Sequence, residues 1–478
     1  MVDIVHLGSN RELFVDNYLI DNISGSSLKL HEPLPGGVAI KYDQPWETND
    51  KGSGSFYTSV FEDGNLFRMY YRGDATRVCY AESEDGINWY KPNLGLVEDE
   101  GSDQNNIIMG LKCPGSGFSA FLDSNPNSTS DQRIKGNAHG VWQKENNYAH
   151  LYGFSTPDAT NWIQIKDEPL IEGSLPNHWD AQNSIFWSEA EQQYVIYARY
   201  MVGPDGLLGE NFRKVDEKSR IRSTARATSP DFENWSEFVP MEYSDTDSIT
   251  PSAQLYTNQT TSYFRANHIY ISLPGRIFFK KIKNPKILRA IDDVDLGDCS
   301  DGVLMTTRAG SNRYDFTFRE SLLRPGIGDE NWTTRNNYPA CGVIQTGEAE
   351  MSIFVQRHYS QTSAYLERMT LRLDGFASLN AGYDEGQMIT KALDFTGNKL
   401  ELNYSTSAAG RIKVEMLDES GTPIEGYGID DCDGLIGDEI SGYVSWNGST
   451  DLSKISGQPT RVRFVMNDAD IYSLRFEN

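Results

Sequence analysis

The chain has 478 residues, with 68 Asp and Glu against 43 Lys and Arg, and a formal net charge of −25. This charge would repel a phosphate backbone, and no cluster of Lys and Arg along the sequence reverses it, so nucleic acid is not expected as a partner. No apolar run of about 18 residues is present, so no membrane span is predicted. Abundant Tyr, Phe, Trp and Gly, without a long helical period, favour an all-β chain of two domains.

Three copies of the pattern Asp-x-x-Asn-Trp close three similar stretches of sequence. They end at Trp89, Trp162 and Trp235, so successive copies lie 73 residues apart. Each copy follows alternating apolar and aromatic runs separated by Gly, Asp and Asn, which is typical of short antiparallel strands joined by turns. Two weaker units follow, and the five units between about Tyr42 and Ser378 predict a five-bladed β-propeller.

The character of the sequence changes after Leu379. The strands that follow alternate strictly and are joined by short polar turns, which favours an antiparallel β-sandwich. We therefore assign residues 1–385 to the propeller, with residues 1–44 as the segment that closes its ring, and residues 390–478 to the sandwich.

The repeated pattern itself is interpreted as structural. Asp85, Asp158 and Asp231 are expected to bond backbone N–H groups in turns, and each following Trp is expected to pack against a neighbouring blade. The alternative, that these loops bind a sugar or a metal ion, is the weaker interpretation. Functional residues are therefore expected on the opposite side of each blade.

Residues on or just before the first strand of each blade should converge at the mouth of the propeller channel. The catalytic candidates chosen in this way are Glu47, Asp123, His178, Asp180 and His268. The substrate-binding candidates are Asp50, Tyr256, Asn258, Arg265, Arg276, Arg335, Asn336, Asn337 and Tyr338. Cleavage of a glycosidic bond needs one protonated carboxyl group, which protonates the leaving oxygen, and one ionised group, which is the nucleophile or activates water.

Each catalytic candidate also has a structural interpretation. Glu47 would be a solvated charge at the rim, and Asp123 opens a strong turn sequence, DSNPN. His178 and His268 would be ordinary buried hydrogen-bonding histidines. For Asp180 the two interpretations are balanced.

The remaining features give weaker indications. The scattered cysteines, Cys79, Cys113, Cys299, Cys341 and Cys432, argue against a disulfide framework or a Cys-based zinc site. No cofactor is expected to be required. Carboxylates concentrate in DDCDGLIGDE, residues 430–439, where a structural Ca²⁺ is a weaker alternative to a solvated acidic loop. No signal peptide is visible, which leaves a periplasmic or secreted location open if one was removed, and a cytoplasmic one otherwise.

The phrases LFVDNYLID, VCYAESEDGINWYKPNLGLVE, TTRNNYPACGVIQTG and KLELNYSTSAAGRIKVEMLD resemble a set of uncharacterised bacterial proteins similar to glycoside hydrolase family 32. The resemblance implies the five-bladed propeller shared by families 32, 43, 68 and 117 and by the family 130 phosphorylases, with a C-terminal β-sandwich as in family 32. The family 32 motifs Asn-Asp-Pro-Asn-Gly, Arg-Asp-Pro and Glu-Cys are absent, so no catalytic residue is assigned by motif.

The sequence thus predicts an exo-acting glycoside hydrolase that releases a terminal furanose, anhydro or acidic sugar from a plant or algal oligosaccharide or polysaccharide. In this hypothesis Arg265, Arg276 and Arg335 receive an acidic or sulfated group. The alternatives are a non-catalytic, lectin-like propeller and a glycoside phosphorylase. No oligomeric state is predicted.

Overall fold

Almost all regular secondary structure in the chain is β-strand, which confirms the predicted fold class. A computed structural model of the chain describes residues 4–48, 52–74, 77–110, 116–140, 149–173, 178–207, 214–216, 219–279 and 298–478. Short 3-10 helices cover Ser130–Gln132, Pro204–Gly206 and Asp329–Asn331. Within the described residues no helix has the length and apolarity needed to cross a membrane.

The strands are numbered in the order in which the chain forms them. The first are β1 (Ile4–Gly8), β2 (Glu12–Leu13), β3 (Ile20–Ser24), β4 (Ser26–Leu30), β5 (Leu34–Lys41), β6 (Phe56–Asp63), β7 (Leu66–Arg72), β8 (Val78–Ser83) and β9 (Ile107–Met109). Then come β10 (Ser116–Leu122), β11 (Ile134–His139), β12 (Leu151–Thr156), β13 (Ile163–Gln164), β14 (Ser184–Ser188), β15 (Gln193–Val202), β16 (Ile221–Ser229) and β17 (Val239–Pro240).

The chain continues with β18 (Glu242–Tyr243), β19 (Gln254–Leu255), β20 (Thr261–Tyr263), β21 (Ala266–Ser272), β22 (Gly275–Phe278), β23 (Cys299–Gly302), β24 (Met305–Arg308), β25 (Arg313–Tyr314), β26 (Ile344–Gln345), β27 (Glu350–Arg357) and β28 (Tyr365–Arg372). The last strands are β29 (Ala377–Ala381), β30 (Gly386–Thr390), β31 (Ala392–Phe395), β32 (Lys399–Asp418), β33 (Asp438–Tyr443) and β34 (Thr460–Glu477).

The chain divides into two compact units, Pro33–Thr370 and Met1–Glu32 with Leu371–Asn478. These limits differ from the predicted domains, 1–385 and 390–478. The first 32 residues belong to the C-terminal unit because their strands pair there: β2 pairs with β34, β3 with β30, and β4 with β29. Of the predicted closing segment 1–44, only β5 pairs within the propeller unit, where it joins β28.

Four-stranded antiparallel sheets recur along the propeller unit. Strands β6–β9, β10–β13 and β14–β17 each form one sheet in sequence order, and β26–β28 form another that is completed by β5. The fourth predicted repeat departs from this plan. There β21 pairs with β24, and the hairpin β22–β23 is inserted between them and pairs with β19. This insertion explains why the 73-residue interval is lost after Trp235.

Hydrogen bonds link the first strands of successive sheets. The bonds are Ala120 N–H to Ser59 Oγ (3.1 Å), Gln182 Nε2 to Phe118 O (3.0 Å), Gln259 Nε2 to Gln182 Oε1 (2.7 Å) and to Pro339 O (3.2 Å), and Cys341 N–H to Thr58 O (2.8 Å). They lead from each sheet to the next and back to the first sheet, which is the arrangement of a β-propeller.

The three Asp-x-x-Asn-Trp segments form turns that are closely similar to one another. Asp85 accepts hydrogen bonds from the backbone N–H groups of Ile87 (2.8 Å) and Asn88 (2.7 Å), and the same two bonds recur at Asp158 and Asp231. The ring of Trp162 packs edge-on against Phe118 of its own sheet and Tyr70 of the preceding sheet, at centroid distances of 5.0 and 5.4 Å. The structural interpretation of this turn is therefore confirmed.

The C-terminal unit is a β-sandwich built around two long strands. Strands β32 and β34 pair antiparallel along almost their whole length, with the register shifting between Thr406 and Arg411. Alternating side chains of both strands, among them Ile412, Val414 and Phe464, are fully buried in one apolar core. Burial of one such side chain stabilises the fold by about 1.5–3 kcal/mol.

Candidate active site

The starts of the first strands converge in the propeller unit, as the sequence predicts. Phe56 and Tyr57 at the start of β6 pack in one cluster with Tyr256 ahead of β20, and with Tyr338 and Tyr359 of the last sheet. The rings of Phe56 and Tyr359 lie 5.1 Å apart, and those of Tyr256 and Tyr338 lie 5.3 Å apart. We call these five residues the aromatic cluster.

The aromatic cluster is tightly packed on its inner side. The free space between Phe56, Thr58, Gln259 and Tyr338 is about 10 Å³, which is room for about one water molecule. A Cβ on Gly275 would lie 2.4 Å from the Tyr338 ring, so this position has to be glycine for the ring to pack there. The side chains around Tyr338 are therefore closely packed.

Four arginines surround the aromatic cluster. Arg72 belongs to β7, Arg199 to β15, Arg222 to β16, and Arg335 to the segment ahead of β26. The guanidinium carbons of Arg199, Arg222 and Arg335 lie 5.5, 5.4 and 5.6 Å from the centre of the Tyr256 ring. The guanidinium carbon of Arg72 lies 3.9 Å from the centre of the Phe56 ring. We call these four residues the arginine cluster.

The arginine cluster corrects one expectation from the sequence. No basic cluster is visible along the chain, yet the fold brings four guanidinium groups from three sheets together. Burial lowers the pKa of Arg222, and the positive charge of Arg199 lowers it further. An acidic protein thus carries a local concentration of positive charge.

Within the described residues, Asp180 is the carboxylate that contacts the arginine cluster. Its Oδ2 lies 3.4 Å from Arg199 Nη2, and Arg199 Nη1 also donates to the Asp180 backbone carbonyl. His139 Nε2 lies 3.9 Å from Asp180 Oδ1. The Asp180 side chain is 30% exposed, so it remains accessible to a ligand.

The ionisation of Tyr256 is changed by these neighbours. Burial opposes loss of its proton, but the positive charge of Arg335, supported by Arg199 and Arg222, lowers the pKa of Tyr256 below its ordinary value, while Asp180 acts against this. Tyr338 lies next to it, and there burial raises the pKa well above the ordinary value.

His139 is held neutral. Burial lowers its pKa to about 4; the charges of Arg199 and Arg72 add to this, while Asp180 opposes it. The segment that carries Asp180 lies directly against Gly117 of β10, which has a φ of +65°. A Cβ at Gly117 would lie 2.6 Å from the Ala181 carbonyl and 2.9 Å from the His139 ring. Only glycine therefore allows these two groups to approach.

Three residues of this region adopt a backbone conformation that is unusual for bulky side chains. Tyr57, Trp179 and Arg335 have φ values of 57°, 62° and 55°. Left-handed backbone at non-glycine residues costs roughly 1–3 kcal/mol each and concentrates at functional sites. The strained backbone of these residues therefore lies in the same region as the arginine cluster.

The structure places Glu47 and Asp123 away from the arginine cluster. Glu47 is fully buried, accepts hydrogen bonds from Tyr71 Oη (2.5 Å) and from the backbone of Asp43 (3.1 Å), and pairs with Lys91 Nζ (2.7 Å). It is therefore not the solvated rim charge considered from the sequence.

Asp123 lies at the far end of β10. Its carboxylate pairs with Lys135 and accepts a hydrogen bond from Tyr194 Oη at 2.8 Å. Its backbone turn is also closed by its side chain, which accepts the Asn125 N–H at 3.0 Å. The turn interpretation of Asp123 therefore agrees with the contacts.

The predicted histidines differ in position. His178 is buried beside the site, with its ring 4.2 Å from that of Tyr200, and burial lowers its pKa to about 3. His268 and Arg265 lie at the hairpin between β20 and β21, at the opposite end of β20 from Tyr256. The structure thus separates His268 and Arg265 from the arginine cluster.

Several other predicted residues make structural contacts. Asn258 accepts a hydrogen bond from Ser184 Oγ at 2.9 Å, and Arg276 forms two bonds to Asp301 at 2.9 and 2.7 Å. Asn336 and Asn337 are fully buried: Asn336 donates to Thr333 Oγ1 in its own loop (2.7 Å), and Asn337 donates to the Ser300 carbonyl of β23 (2.8 Å). Tyr256, Arg335 and Tyr338 are brought into the pocket. Asp50 lies outside the described residues.

Sequence reasoning missed Arg72, Arg199, Arg222 and His139. All four lie on the second or third strand of a sheet, in runs such as NLFRMYYRG and QQYVIYARY. The available signal was an arginine inside an otherwise apolar strand, where a charge is costly without a partner.

The described residues contain no group of three or more His, Cys, Asp or Glu arranged to hold a metal ion. In the acidic loop, Asp433 accepts the Gly448 N–H at 2.9 Å and Asp431 accepts the Asn447 side chain at 3.0 Å. The calcium alternative stays a prediction. Cys79, Cys299, Cys341 and Cys432 are buried free thiols, and Cys113 lies outside the described part of the chain.

No protein family and no curated protein matches the chain. Among solved structures, it is similar to an N-acetylgalactosamine deacetylase from F. plautii, at 11% identity and a TM-score of 0.46, over 74% of this chain and 97% of that one. It is also similar to a glycoside hydrolase, at 12% identity and a TM-score of 0.45, over 71% of this chain and 92% of that one. A third similar structure is a family 43 arabinoxylan arabinofuranohydrolase from Bacillus subtilis, at 11% identity and a TM-score of 0.39, over 93% of this chain and 99% of that one. The function is therefore argued from the residues of the site.

Proposed function

We propose that the protein is an exo-acting glycoside hydrolase whose terminal sugar carries an anionic group, a carboxylate or a sulfate. The observation that carries the proposal is the arginine cluster. Four guanidinium groups lie around the aromatic cluster, and among the described residues one carboxylate, Asp180, pairs with one of them, Arg199, in a chain whose formal net charge is −25. Charges held close together away from water are costly unless they are paired. A bound anion would supply that pairing.

Arginine suits this role because its planar fork can donate two parallel hydrogen bonds to a carboxylate or a sulfate. Aromatic rings beside the arginines offer flat apolar faces for the C–H surface of a sugar. Tyr256 and Tyr57 are 9% and 7% exposed, so parts of both remain within reach of a ligand. The pocket thus offers both kinds of contact that an acidic sugar needs.

The exo mode is supported by the close packing around Tyr338. The free space between Phe56, Thr58, Gln259 and Tyr338 is about 10 Å³ and is too small for a sugar. A chain end, with one terminal sugar inside the pocket, fits this shape.

Asp180 is the proposed acid–base residue, because it is the partly exposed carboxylate next to the arginine cluster. Glu47 and Asp123 are not proposed as its partner, because their carboxylates are occupied by Lys91 and Lys135.

The test is hydrolysis of 4-nitrophenyl glycosides of glucuronic and galacturonic acid, both anomers, against the matching neutral glucosides and galactosides. We expect nitrophenol release from an acidic glycoside, and about a 100-fold loss in kcat/KM for Arg335→Gln, typical of losing one charged donor. Arg313→Gln is the matched control, because that side chain is 43% exposed and pairs with surface carboxylates.

Three outcomes would contradict the proposal. A preference for the neutral glycosides would contradict the proposal that the substrate is anionic. Turnover that requires added inorganic phosphate would instead indicate a phosphorylase, for which the arginine cluster is an equally suitable anion site. Calorimetric binding of acidic oligosaccharides, without any product, would indicate a lectin-like protein.

A further inference from the structure

Hydrolysis of a glycoside requires two groups at the sugar, and Asp180 is one of them. The second group of a retaining enzyme is a nucleophile that bonds to the anomeric carbon; in most glycosidases it is a carboxylate, though a tyrosine can take this place. Within the described residues, no second carboxylate contacts the arginine cluster. A tyrosine of the aromatic cluster is a further candidate for the nucleophile.

Tyr256 is distinguished from the neighbouring tyrosines by its surroundings. Three guanidinium carbons, of Arg199, Arg222 and Arg335, lie within 5.4 to 5.6 Å of its ring centre. Its main chain is fixed by a 2.7 Å hydrogen bond from its N–H to the Gly275 carbonyl. The residue is 9% exposed, so it is largely shielded from bulk water.

We propose that Tyr256 is the nucleophile of a double-displacement reaction that retains the configuration of the sugar. This inference rests on the proposed function. Positive charge stabilises a phenolate more than a phenol, and burial strengthens that effect because the local dielectric is low. The lowered pKa of Tyr256 agrees with this, with Arg335 as the largest favourable influence against the cost of burial.

Tyr57 and Tyr338 do not fit this role. Burial raises the pKa of Tyr57 well above its ordinary value, and the nearby Tyr256 and Asp180 raise it further. Tyr338 is buried and packs on Gly275, with its pKa raised in the same way. The arrangement of arginines therefore selects one hydroxyl among several.

The reaction balances without a cofactor. In the first step the Tyr256 oxygen bonds to the anomeric carbon, and the glycosidic C–O bond breaks with its electron pair on the leaving oxygen. The Tyr256 proton passes to the Asp180 carboxylate and then to the leaving oxygen. In the second step a water oxygen attacks the same carbon, and the sugar–tyrosine bond breaks with its electron pair on the phenolate. A water proton returns to Tyr256 through Asp180.

The first experiment uses the acidic 4-nitrophenyl glycoside that the wild-type protein hydrolyses. We expect product of retained configuration by NMR, and a sugar adduct on the Tyr256 peptide after an acid quench. We also expect a loss in kcat of about 1,000-fold or more for Tyr256→Phe. Tyr197→Phe is the control, because Tyr197 is fully buried and lies outside the aromatic cluster.

The outcomes separate the two levels of the proposal. Inverted product, or a Tyr256→Phe protein with more than a tenth of wild-type kcat, overturns the nucleophile and leaves the glycoside hydrolase standing. Absence of hydrolysis of every glycoside in the panel, by a folded wild-type protein, overturns both.

A second experiment needs no substrate. Tyrosinate absorbance near 295 nm is followed as the pH is raised over the native range. We expect one tyrosine to ionise before the others in the wild-type protein and in Tyr197→Phe, and this early step to be absent in Tyr256→Phe. An early step that persists in Tyr256→Phe overturns the assignment.

Discussion

The Asp-x-x-Asn-Trp turns and the arginine cluster are built by the same sheets but in different ways. At the turns, Asp85, Asp158 and Asp231 repeat one set of hydrogen bonds, with distances to the Asn backbone N–H of 2.7, 2.8 and 2.8 Å. The arginine cluster is repeated only in part: Arg72 and Arg199 occupy equivalent positions on the second strands of their sheets, whereas Arg222 lies on a third strand and Arg335 ahead of β26. Strict repetition thus belongs to the turns, and the cluster combines repeated with unrepeated positions.

The largest expected effect separates activity from stability. The double variant Arg222→Gln/Arg335→Gln should lose about 1,000-fold or more in kcat/KM, because two charged donors to the substrate anion are removed. Its melting temperature should change little, because burial opposes the charge of Arg222 while the neighbouring tyrosines favour that of Arg335, and the two losses offset each other. A large fall in melting temperature would show that the arginine cluster is itself a structural element.

The reverse pattern is expected at the turns. Trp162→Ala should lower the free energy of unfolding by about 3 kcal/mol, because the ring packs between Phe118 and Tyr70. Chemical denaturation measures this, with the 42%-exposed Trp332 replaced by Ala as the control, for which less than about 1 kcal/mol is expected. Unchanged stability with lost binding would reverse the roles assigned to the two regions.

Acid should destabilise the pocket before it destabilises the turns. The pKa of His139 is lowered from 6.5 to about 4, so the unfolded chain binds a proton first, and stability falls as the pH drops from about 6.5 to 4. The slope for one such group is at most about 1.4 kcal/mol per pH unit. Melting temperatures of His139→Gln should fall less steeply in this window than those of the wild-type protein. Equal slopes would contradict the lowered pKa.

The smallest expected effect on stability comes from a single turn, the one that contains Asp231. The pKa of Asp231 is lowered from 3.8 to about 2: burial acts against the shift, and hydrogen bonds from Asn234 and Glu233 outweigh it. Its contribution is present above pH 4 and is lost as the pH falls towards 2. Asp231→Asn should cost about 1 kcal/mol at pH 7, as expected for a lost hydrogen bond, and the cost should vanish near pH 2. Melting curves at both pH values check this.

The propeller could be predicted from the sequence because its signals are local. Alternation, turn residues and the spacing of Trp89, Trp162 and Trp235 depend only on neighbours in the chain. The hairpin β22–β23 interrupts the spacing without a local sequence signature, so the strands of the fourth repeat are the least predictable from the sequence. The pairing of β2 with β34 joins the two ends of the chain, and no local pattern reports such a contact.

The starts of the first strands meet as the sequence predicts, but only some of the residues gathered there could be predicted. The rule that the starts of first strands converge found Asp180, Tyr256, Arg335 and Tyr338. It could not find Arg199 or Arg222, because their side chains reach the pocket from other strands of the sheet. It also selected Glu47, whose partner Lys91 lies 44 residues away and is visible only after folding.

The pairing of β2 with β34 also sets an order of events during synthesis. The ribosome makes the N-terminal strands first, but β34 begins only at Thr460. At roughly 5–20 residues per second, β2 waits on the order of half a minute or longer for β34. During that interval its edge is open to other chains, while the intervening propeller residues are already able to fold. The sandwich therefore closes only after the propeller residues between its strands have been synthesised.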